Sequence, residues 1–141
     1  RLGYAIGTAE RLNNWQYWRD PWPINGLAIA AGTMLMNDVR GLYNWIEQVQ
    51  RWVVTESFWL KDQLKTLPGI TPHPSTANFL LIEGQTSLLA LREQMSKRGI
   101  LLRDCRSFEG LGESWLRVGL QNREGNQRIV LEMRKLLMSN L

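Results

Sequence analysis

The order of the strands and helices predicted between residues 78 and 138 constrains the fold more than any other feature of the sequence. Strands are predicted over 78–83, 100–104 and 115–120, and helices over 87–98 and 124–138. Gly99 is well placed to end the first of these helices in a left-handed turn. An order of strand, helix, strand, strand, helix with short links predicts a small antiparallel or mixed sheet covered by helices. The fold class is therefore α+β, in two layers.

A long helix is predicted upstream of this region. Apolar residues recur at helical spacing from Val39 to Val53, and the pattern extends to about Thr66 before Pro68 and Gly69 stop it. The change in composition at residues 37 and 38 predicts a boundary between one part, 1–36, and a second domain, 37–141. Tryptophans recur every seven residues in the helix and predict one stripe that is buried against the rest of the protein or used by a partner. They are Trp45, Trp52 and Trp59.

The first part reads as short elements around an aromatic loop. Residues 1–7 alternate as in a strand, and Thr8 is a suitable cap for a helix over 9–14. Prolines prevent residues 18–23 from being helical throughout. Asn25 can cap a following helix of small residues over 26–36, which we expect to be buried because its alanines allow close packing.

Composition excludes several classes of protein. The 141 residues contain one cysteine, which excludes an internal disulfide and favours a reducing compartment, so we expect a cytoplasmic protein. The net charge is +4 and the basic residues are scattered, which does not indicate nucleic-acid binding. The longest apolar stretch, 24–36, is too short and too interrupted to span a membrane. No initiator Met or targeting region opens the chain, so we expect a fragment.

Three stretches carry a resemblance to a known enzyme family. They are Arg1-Leu2-Gly3-Tyr4-Ala5-Ile6-Gly7, then Pro21-Trp22-Pro23-Ile24-Asn25, and then 98–126 with Arg103-Asp104-Cys105 and Trp115-Leu116-Arg117-Val118. Together they resemble the carboxy-terminal part of fold-type I pyridoxal-phosphate (PLP) enzymes, the class I/II aminotransferase superfamily. Within it, the pattern is most similar to the branch of threonine-phosphate decarboxylases, which serve cobalamin biosynthesis, and histidinol-phosphate aminotransferases.

The resemblance implies an architecture and a role for several arginines. Residues 37–141 would form the small domain, and 1–36 a remnant of the large PLP-binding domain. Arg1 would bind the cofactor phosphate, and Arg117 the carboxylate of the substrate. Arg103, with Arg106 nearby, is a candidate contact for a substrate phosphate. Arginine suits these roles because its planar fork meets phosphate or carboxylate oxygens in pairs. Without the resemblance, Arg1 reads as an exposed terminal residue and Arg117 as a solvated strand residue.

The resemblance also implies the activity of the complete enzyme. It would be a PLP-dependent homodimer acting on a phosphorylated amino acid or amine, most similar to a decarboxylase, with an aminotransferase as the alternative. No lysine here matches the Schiff-base lysine of the family, so we assign no catalytic residue and expect the chain alone to be inactive. A different class stays open, an α+β module that binds a protein or single-stranded nucleic acid. His73 reads as a structural residue and Cys105 as a small turn residue, and no metal site is predicted.

Overall fold

A computed structural model describes residues 2–138. The elements in chain order are α1 Ala9–Gln16, α2 Gly26–Asn37, α3 Val39–Leu64, β1 Ile70–Pro72, β2 Phe79–Gly84, α4 Leu89–Lys97, β3 Arg103–Asp104, β4 Trp115–Gly119 and α5 Arg123–Met138. By internal contacts the chain divides at Gln48, so that residues 1–48 form one unit and 49–141 another.

The second unit contains a four-stranded antiparallel sheet with the strand order β1-β2-β4-β3. The predicted α+β class and the antiparallel sheet are confirmed. The central pair is β2 and β4, in which Ile82 lies opposite Leu116 and Leu80 opposite Val118. Because side chains alternate along a strand, these four residues share one face of the sheet.

That face carries the hydrophobic core. The four central side chains are at most 1% exposed. Helices α3, α4 and α5 cover them with buried apolar residues, among them Leu60, Leu64, Met95, Ile129 and Met133. Burial of each such side chain stabilises the fold by about 1.5–3 kcal/mol. On the opposite face of the sheet the side chains are half-buried or exposed. This face, called the open face from here on, can therefore bind a ligand or another part of a protein.

Sequence reasoning missed one strand in this unit and overestimated another. No strand was predicted between the end of the long helix and residue 78, but Ile70–Pro72 forms β1. This strand lies at the edge of the sheet and pairs with β2, and proline is tolerated at a sheet edge. The predicted strand 100–104 is reduced to β3, although Ile100 and Leu102 are buried in the core. Gly99 has a φ of +74°, which confirms the predicted left-handed turn.

In the first unit the two predicted helices are confirmed, but the predicted strand before them and the predicted burial of α2 are not. Thr8 caps α1 and Asn25 caps α2, with its side-chain oxygen 2.8 Å from the Ala28 nitrogen. The strand predicted over residues 1–7 is wrong in its described part: residues 2–7 form no regular element, and no strand within residues 2–138 pairs with them. The predicted burial of α2 is also wrong: none of its residues is buried in the structure, although its small residues would permit close packing.

The proposed domain boundary at residues 36 and 37 coincides with the last residue of α2, Asn37, and stays a prediction. The long helix predicted to follow it is confirmed as α3, although it ends at Leu64 rather than at Thr66. Among the described residues, no helix is long and apolar enough to cross a membrane.

Candidate anion-binding site

The open face of the sheet is where the predicted substrate arginines lie. Along β4, Leu116 and Val118 point into the core, so Arg117 projects from the other face, as the alternation of the sequence predicts. Its strand neighbours there are Leu81, directly opposite on β2, and Arg103, directly opposite on β3. The structure therefore brings the two predicted substrate-binding arginines together.

Arg117 is half-buried, and an aromatic ring fixes its guanidinium. The Cζ atom lies 4.8 Å from the centroid of the Phe79 ring, a cation–π distance. Within residues 2–138 the guanidinium has no salt bridge and donates no hydrogen bond to the protein. Its position is therefore set by packing while its donors are left for another partner. Phe79 was not predicted as a site residue, because only the diagonal pairing of β2 with β4 brings it to Arg117.

Arg103 is exposed and, like Arg117, forms no salt bridge within residues 2–138. Its Cα is the direct partner of the Arg117 Cα across an antiparallel ladder, a position in which Cα atoms are about 4.5–5.5 Å apart. Like charges in directly opposite positions destabilise a sheet. Among the described residues, no carboxylate forms a salt bridge with either arginine. A ligand with anionic groups would remove this repulsion.

A second charged group follows Arg103 in the chain. Arg106 holds the Asp104 carboxylate with its Nη2 at 2.6 Å and its Nε at 2.9 Å, and its backbone nitrogen lies 2.9 Å from Oδ1. These hydrogen bonds lower the pKa of Asp104 to about 2, and they raise the pKa of Arg106. Both groups are charged at neutral pH. Arg106 is therefore turned toward its own loop and is only partly available to a ligand.

A depression of about 500 Å³ lies beside these residues. It is lined by Arg92, Arg103, Asp104, Arg106 and Ser107. Arg92 comes from α4, and its Nε donates a hydrogen bond to the Leu102 carbonyl oxygen at 3.2 Å, one residue before Arg103. Sequence reasoning missed Arg92, because its place in the depression depends on how α4 packs beside β3, and no local pattern records that packing.

Cys105 lies behind the arginines and is fully buried. Burial raises the pKa of its thiol, against the opposing effect of the positive charge on Arg117. Its Sγ is 3.7 Å from the Arg103 carbonyl oxygen. The thiol is therefore neutral at physiological pH, and Cys105 fills buried space directly before the turn at residues 106 and 107.

His73 was predicted to be structural, and its contacts agree. Its ring stacks on Trp115 at 4.7 Å, and its Nε2 lies 3.1 Å from the Glu83 carboxylate. Among residues 2–138 there is no cluster of three or more histidine, cysteine or acidic side chains that could hold a metal ion. His73 thus belongs to a polar and aromatic group at the β1 side of the open face.

A buried ionic network fixes the segment that follows Arg117. Glu56 on α3 is 7% exposed and accepts hydrogen bonds from Arg123 and from the Asn126 side chain, the latter at 2.8 Å. Asn126 in turn binds both the backbone nitrogen and the carbonyl oxygen of Gln121. The guanidinium of Arg123 also lies over Trp59, 4.6 Å from the ring centroid. The end of β4 is therefore tied to α3 and α5.

Comparison with known proteins gives the class of the fold first. The chain superimposes on a solved histidinol-phosphate aminotransferase from Clostridium acetobutylicum with a TM-score of 0.79 and 25% identity, over 94% of this chain and 39% of that one. The fold is that of the carboxy-terminal part of the aminotransferases, as the resemblance implied. No protein-family model matches the chain.

The relatives by sequence narrow the class to one branch. The chain is 27% identical over 138 residues to the threonine-phosphate decarboxylase of Salmonella typhimurium. The alignment covers 97% of this chain and 37% of the relative. It is 34% identical over 130 residues to the histidinol-phosphate aminotransferase of Symbiobacterium thermophilum, covering 92% and 34%. The chain thus spans about a third of the length of these relatives. It is a homologue of both kinds of enzyme.

Arg1, to which the resemblance gave the cofactor phosphate, lies outside the described residues 2–138. The described residues offer cations and an aromatic support on the open face, which suit the anionic groups of a substrate. The assignments of Arg1, Arg103 and Arg117 to particular ligands stay predictions.

Proposed function

We propose that this chain is the substrate-binding part of a PLP-dependent enzyme that acts on a phosphorylated amino acid. The favoured reaction is the decarboxylation of L-threonine O-3-phosphate. The observation that carries the proposal is the pairing of Arg103 with Arg117 on the open face of the sheet, where neither guanidinium has a salt bridge within the described residues. The comparisons support the class of enzyme, because relatives named as threonine-phosphate decarboxylases match nearly the whole chain.

The two neighbouring cations favour a ligand that carries two anionic groups. L-Threonine O-3-phosphate has a carboxylate and a phosphate close together. In this proposal Arg117 binds the carboxylate, and Phe79 beneath it keeps the guanidinium from turning away. Arg103, which is more exposed, binds the phosphate. Two charge-assisted contacts neutralise the repulsion between the arginines and fix both ends of the substrate.

Positioning is the contribution of these residues to catalysis. PLP, when bound, supplies an electron sink for bond cleavage at the substrate α-carbon. By holding the carboxylate, Arg117 fixes the torsion about the α-carbon and so helps to decide which bond is cleaved. Correct orientation of the reacting groups can lower the activation free energy of a reaction by roughly several kcal/mol.

Histidinol-phosphate aminotransferase activity is the second candidate. It is favoured by the solved relative of that name and by the 34% identity to the Symbiobacterium enzyme. Histidinol phosphate carries a phosphate but no carboxylate, so it would use one of the two arginines. A dicarboxylate amino donor would use both, which leaves the second reaction compatible with the same site.

A binding experiment tests the site directly. O-Phospho-L-threonine is titrated into the 141-residue chain, and the arginine side-chain N–H signals are followed by NMR. We expect Arg117→Gln and Arg103→Gln to weaken binding by roughly tenfold or more each, since each removes a contact to a charged group. Arg128→Gln is the matched control, because this exposed arginine bonds the Arg98 carbonyl oxygen instead. Equal affinity in all three variants would refute the assignment.

An assay separates the two reactions. The protein that carries this sequence is supplied with PLP and, in separate reactions, with L-threonine O-3-phosphate or histidinol phosphate. CO2 release is measured alongside amino-group transfer to 2-oxoglutarate. CO2 release without transfer supports the decarboxylase. Transfer from histidinol phosphate without CO2 supports the aminotransferase, and a salt-sensitive gel shift without either activity would favour the binding module.

Other parts of the proposal concern context. We propose a homodimer in the cytoplasm with a role in cobalamin biosynthesis, in line with the decarboxylase reading. Exposed aromatic residues support an assembly, among them Trp45, which is 62% exposed. Light scattering across a concentration series tests the homodimer. We also propose that the 141 residues alone are inactive, which the CO2 assay on the isolated chain tests.

A further inference from the structure

The depression beside β3 points to a phosphate contact that the sequence did not reveal. It is lined by Arg92 on α4, Arg103 on β3 and Arg106 in the loop after β3, together with Asp104 and Ser107. Three positive charges against one negative charge leave two positive charges facing the depression. This matches the two negative charges of a phosphate monoester near neutral pH.

Arg92 is the member whose geometry is most informative. It is half-buried, and its Nε is used by the Leu102 carbonyl oxygen at 3.2 Å. Its two terminal nitrogens donate no hydrogen bond to a protein group within residues 2–138. Because Arg92 lines the depression and its guanidinium is held through one nitrogen, the other two nitrogens are left for an anion that accepts a paired hydrogen bond.

The contacts of the neighbouring residues leave Arg92 and Arg103 without a salt bridge to a carboxylate within residues 2–138. Arg106 is held against Asp104 by three hydrogen bonds from its side chain, so Asp104 is neutralised by Arg106 rather than by Arg92 or Arg103. Arg92 and Arg103 line a second, adjoining depression of about 290 Å³ as well, which places them side by side along the same edge. The two arginines are thus left for a shared ligand.

We propose that Arg92 is a further substrate-binding residue, which contacts the phosphate together with Arg103 and sets the preference for phosphorylated substrates. This inference rests on the proposed function, because it takes the ligand of Arg103 to be a phosphate. Arg92 also anchors the backbone just before Arg103 through Leu102. Contact and anchoring predict different effects of Arg92→Lys and Arg92→Gln on phosphate binding.

The test uses inorganic phosphate as the probe and the 141-residue chain. Arginine Nε–H signals are followed by NMR in the original sequence and in Arg92→Gln, Arg92→Lys and Arg128→Gln. We expect the Arg92 and Arg103 signals to shift together with one dissociation constant. Arg92→Gln should weaken phosphate binding roughly tenfold, Arg92→Lys less because it keeps the charge, and Arg128→Gln not at all.

The remaining outcomes would refute either the contact of Arg92 with phosphate or the contact of Arg103 with phosphate. Unchanged affinity in Arg92→Gln overturns the contact. An equal loss in Arg92→Lys and Arg92→Gln, with the Arg103 signal already displaced before phosphate is added, overturns it in favour of anchoring alone. A phosphate response at Arg103 without one at Arg92 overturns this inference but spares the proposed function. If Arg103 does not respond to phosphate either, the phosphate half of the proposed function fails with it.

Discussion

Replacing Glu56 with glutamine removes one negative charge from the interior while keeping the shape of the side chain. Glu56 is 7% exposed, and both of its oxygens accept hydrogen bonds. Oε1 is 3.0 Å from the Arg123 Nη2, and Oε2 is 2.8 Å from the Asn126 Nδ2. A glutamine must turn an NH2 group toward one of these donors, so one contact is lost and a guanidinium is left without its counter-charge.

The expected cost follows from the exposure of the partners. Removing one partner of a fully buried pair costs about 3–5 kcal/mol. The Arg123 side chain, however, is 41% exposed, so water recovers part of this energy, and a hydrogen bond to a charged group is worth about 1.5–3 kcal/mol. We therefore expect Glu56→Gln to lower the free energy of unfolding by about 2 kcal/mol.

Urea unfolding followed by tryptophan fluorescence measures this difference, provided that the m-values agree. The matched control is Glu93→Gln, which removes the same charge from an exposed pair with Lys97 one turn away. Such a surface pair contributes about 0–1 kcal/mol. If the two variants lose equal stability, the network around Glu56 does not tie α3 to α5.

The pH dependence gives an independent check on the same residue. Hydrogen bonds from Arg123, together with a smaller contribution from Asn126, lower the pKa of Glu56 despite its burial. A carboxyl group whose pKa is lower in the folded than in the unfolded state stabilises the fold above its unfolded pKa, about 4.3. That contribution is lost as the pH falls below this value. Glu56→Gln should therefore lose less stability than the original chain between pH 5 and pH 2.

Four further predictions concern the core, one turn and the site. Ile82→Ala should cost about 2–5 kcal/mol in urea unfolding, because Ile82 is fully buried; a cost below 1 kcal/mol would contradict the described core. Gly99→Ala should cost about 1–2 kcal/mol in the same assay, because the φ of +74° is unfavourable for a side chain. Cys105 should react with iodoacetamide far more slowly in the folded than in the unfolded chain, since it is fully buried and its pKa is raised. Arg103→Gln should raise the melting temperature of the ligand-free chain slightly, by removing about 0.2–1 kcal/mol of repulsion from Arg117; an unchanged or lower melting temperature would count against that repulsion.

The parts of the fold that sequence reasoning predicted are those that local patterns determine. Thr8 and Asn25 satisfy the first backbone donors of their helices, and Gly99 is chosen for a backbone angle, so each can be recognised without knowledge of its neighbours. Arg117 was placed on the correct face for the same reason, because the burial of Leu116 and Val118 leaves it no other side.

The features that were missed depend on distant partners. β1 exists because its three residues pair with β2, and no pattern within three residues records a partner ten or more positions away. Arg92 enters the candidate site through the Leu102 carbonyl oxygen, ten residues later, across the packing of α4 on the sheet edge. Phe79 reaches Arg117 only through the register of β2 and β4. Tertiary contacts of this kind can be found from a structure but not from periodicity.

The same alternation that builds the core also produces the site. In β4 the side chains of Leu116 and Val118 must lie on the face that the helices cover. Arg117, the residue between them, is therefore forced onto the open face although it is charged. Repulsion between two opposed arginines on that face disfavours the ligand-free state. The buried residues of the strand supply the stability that allows this arrangement, and the ionic network at Glu56 and Asn126 holds the strand end in place. An anionic ligand would then gain binding energy from relieving a repulsion that the fold has already imposed. The proposed preference for a doubly anionic substrate would therefore follow from the register of the sheet.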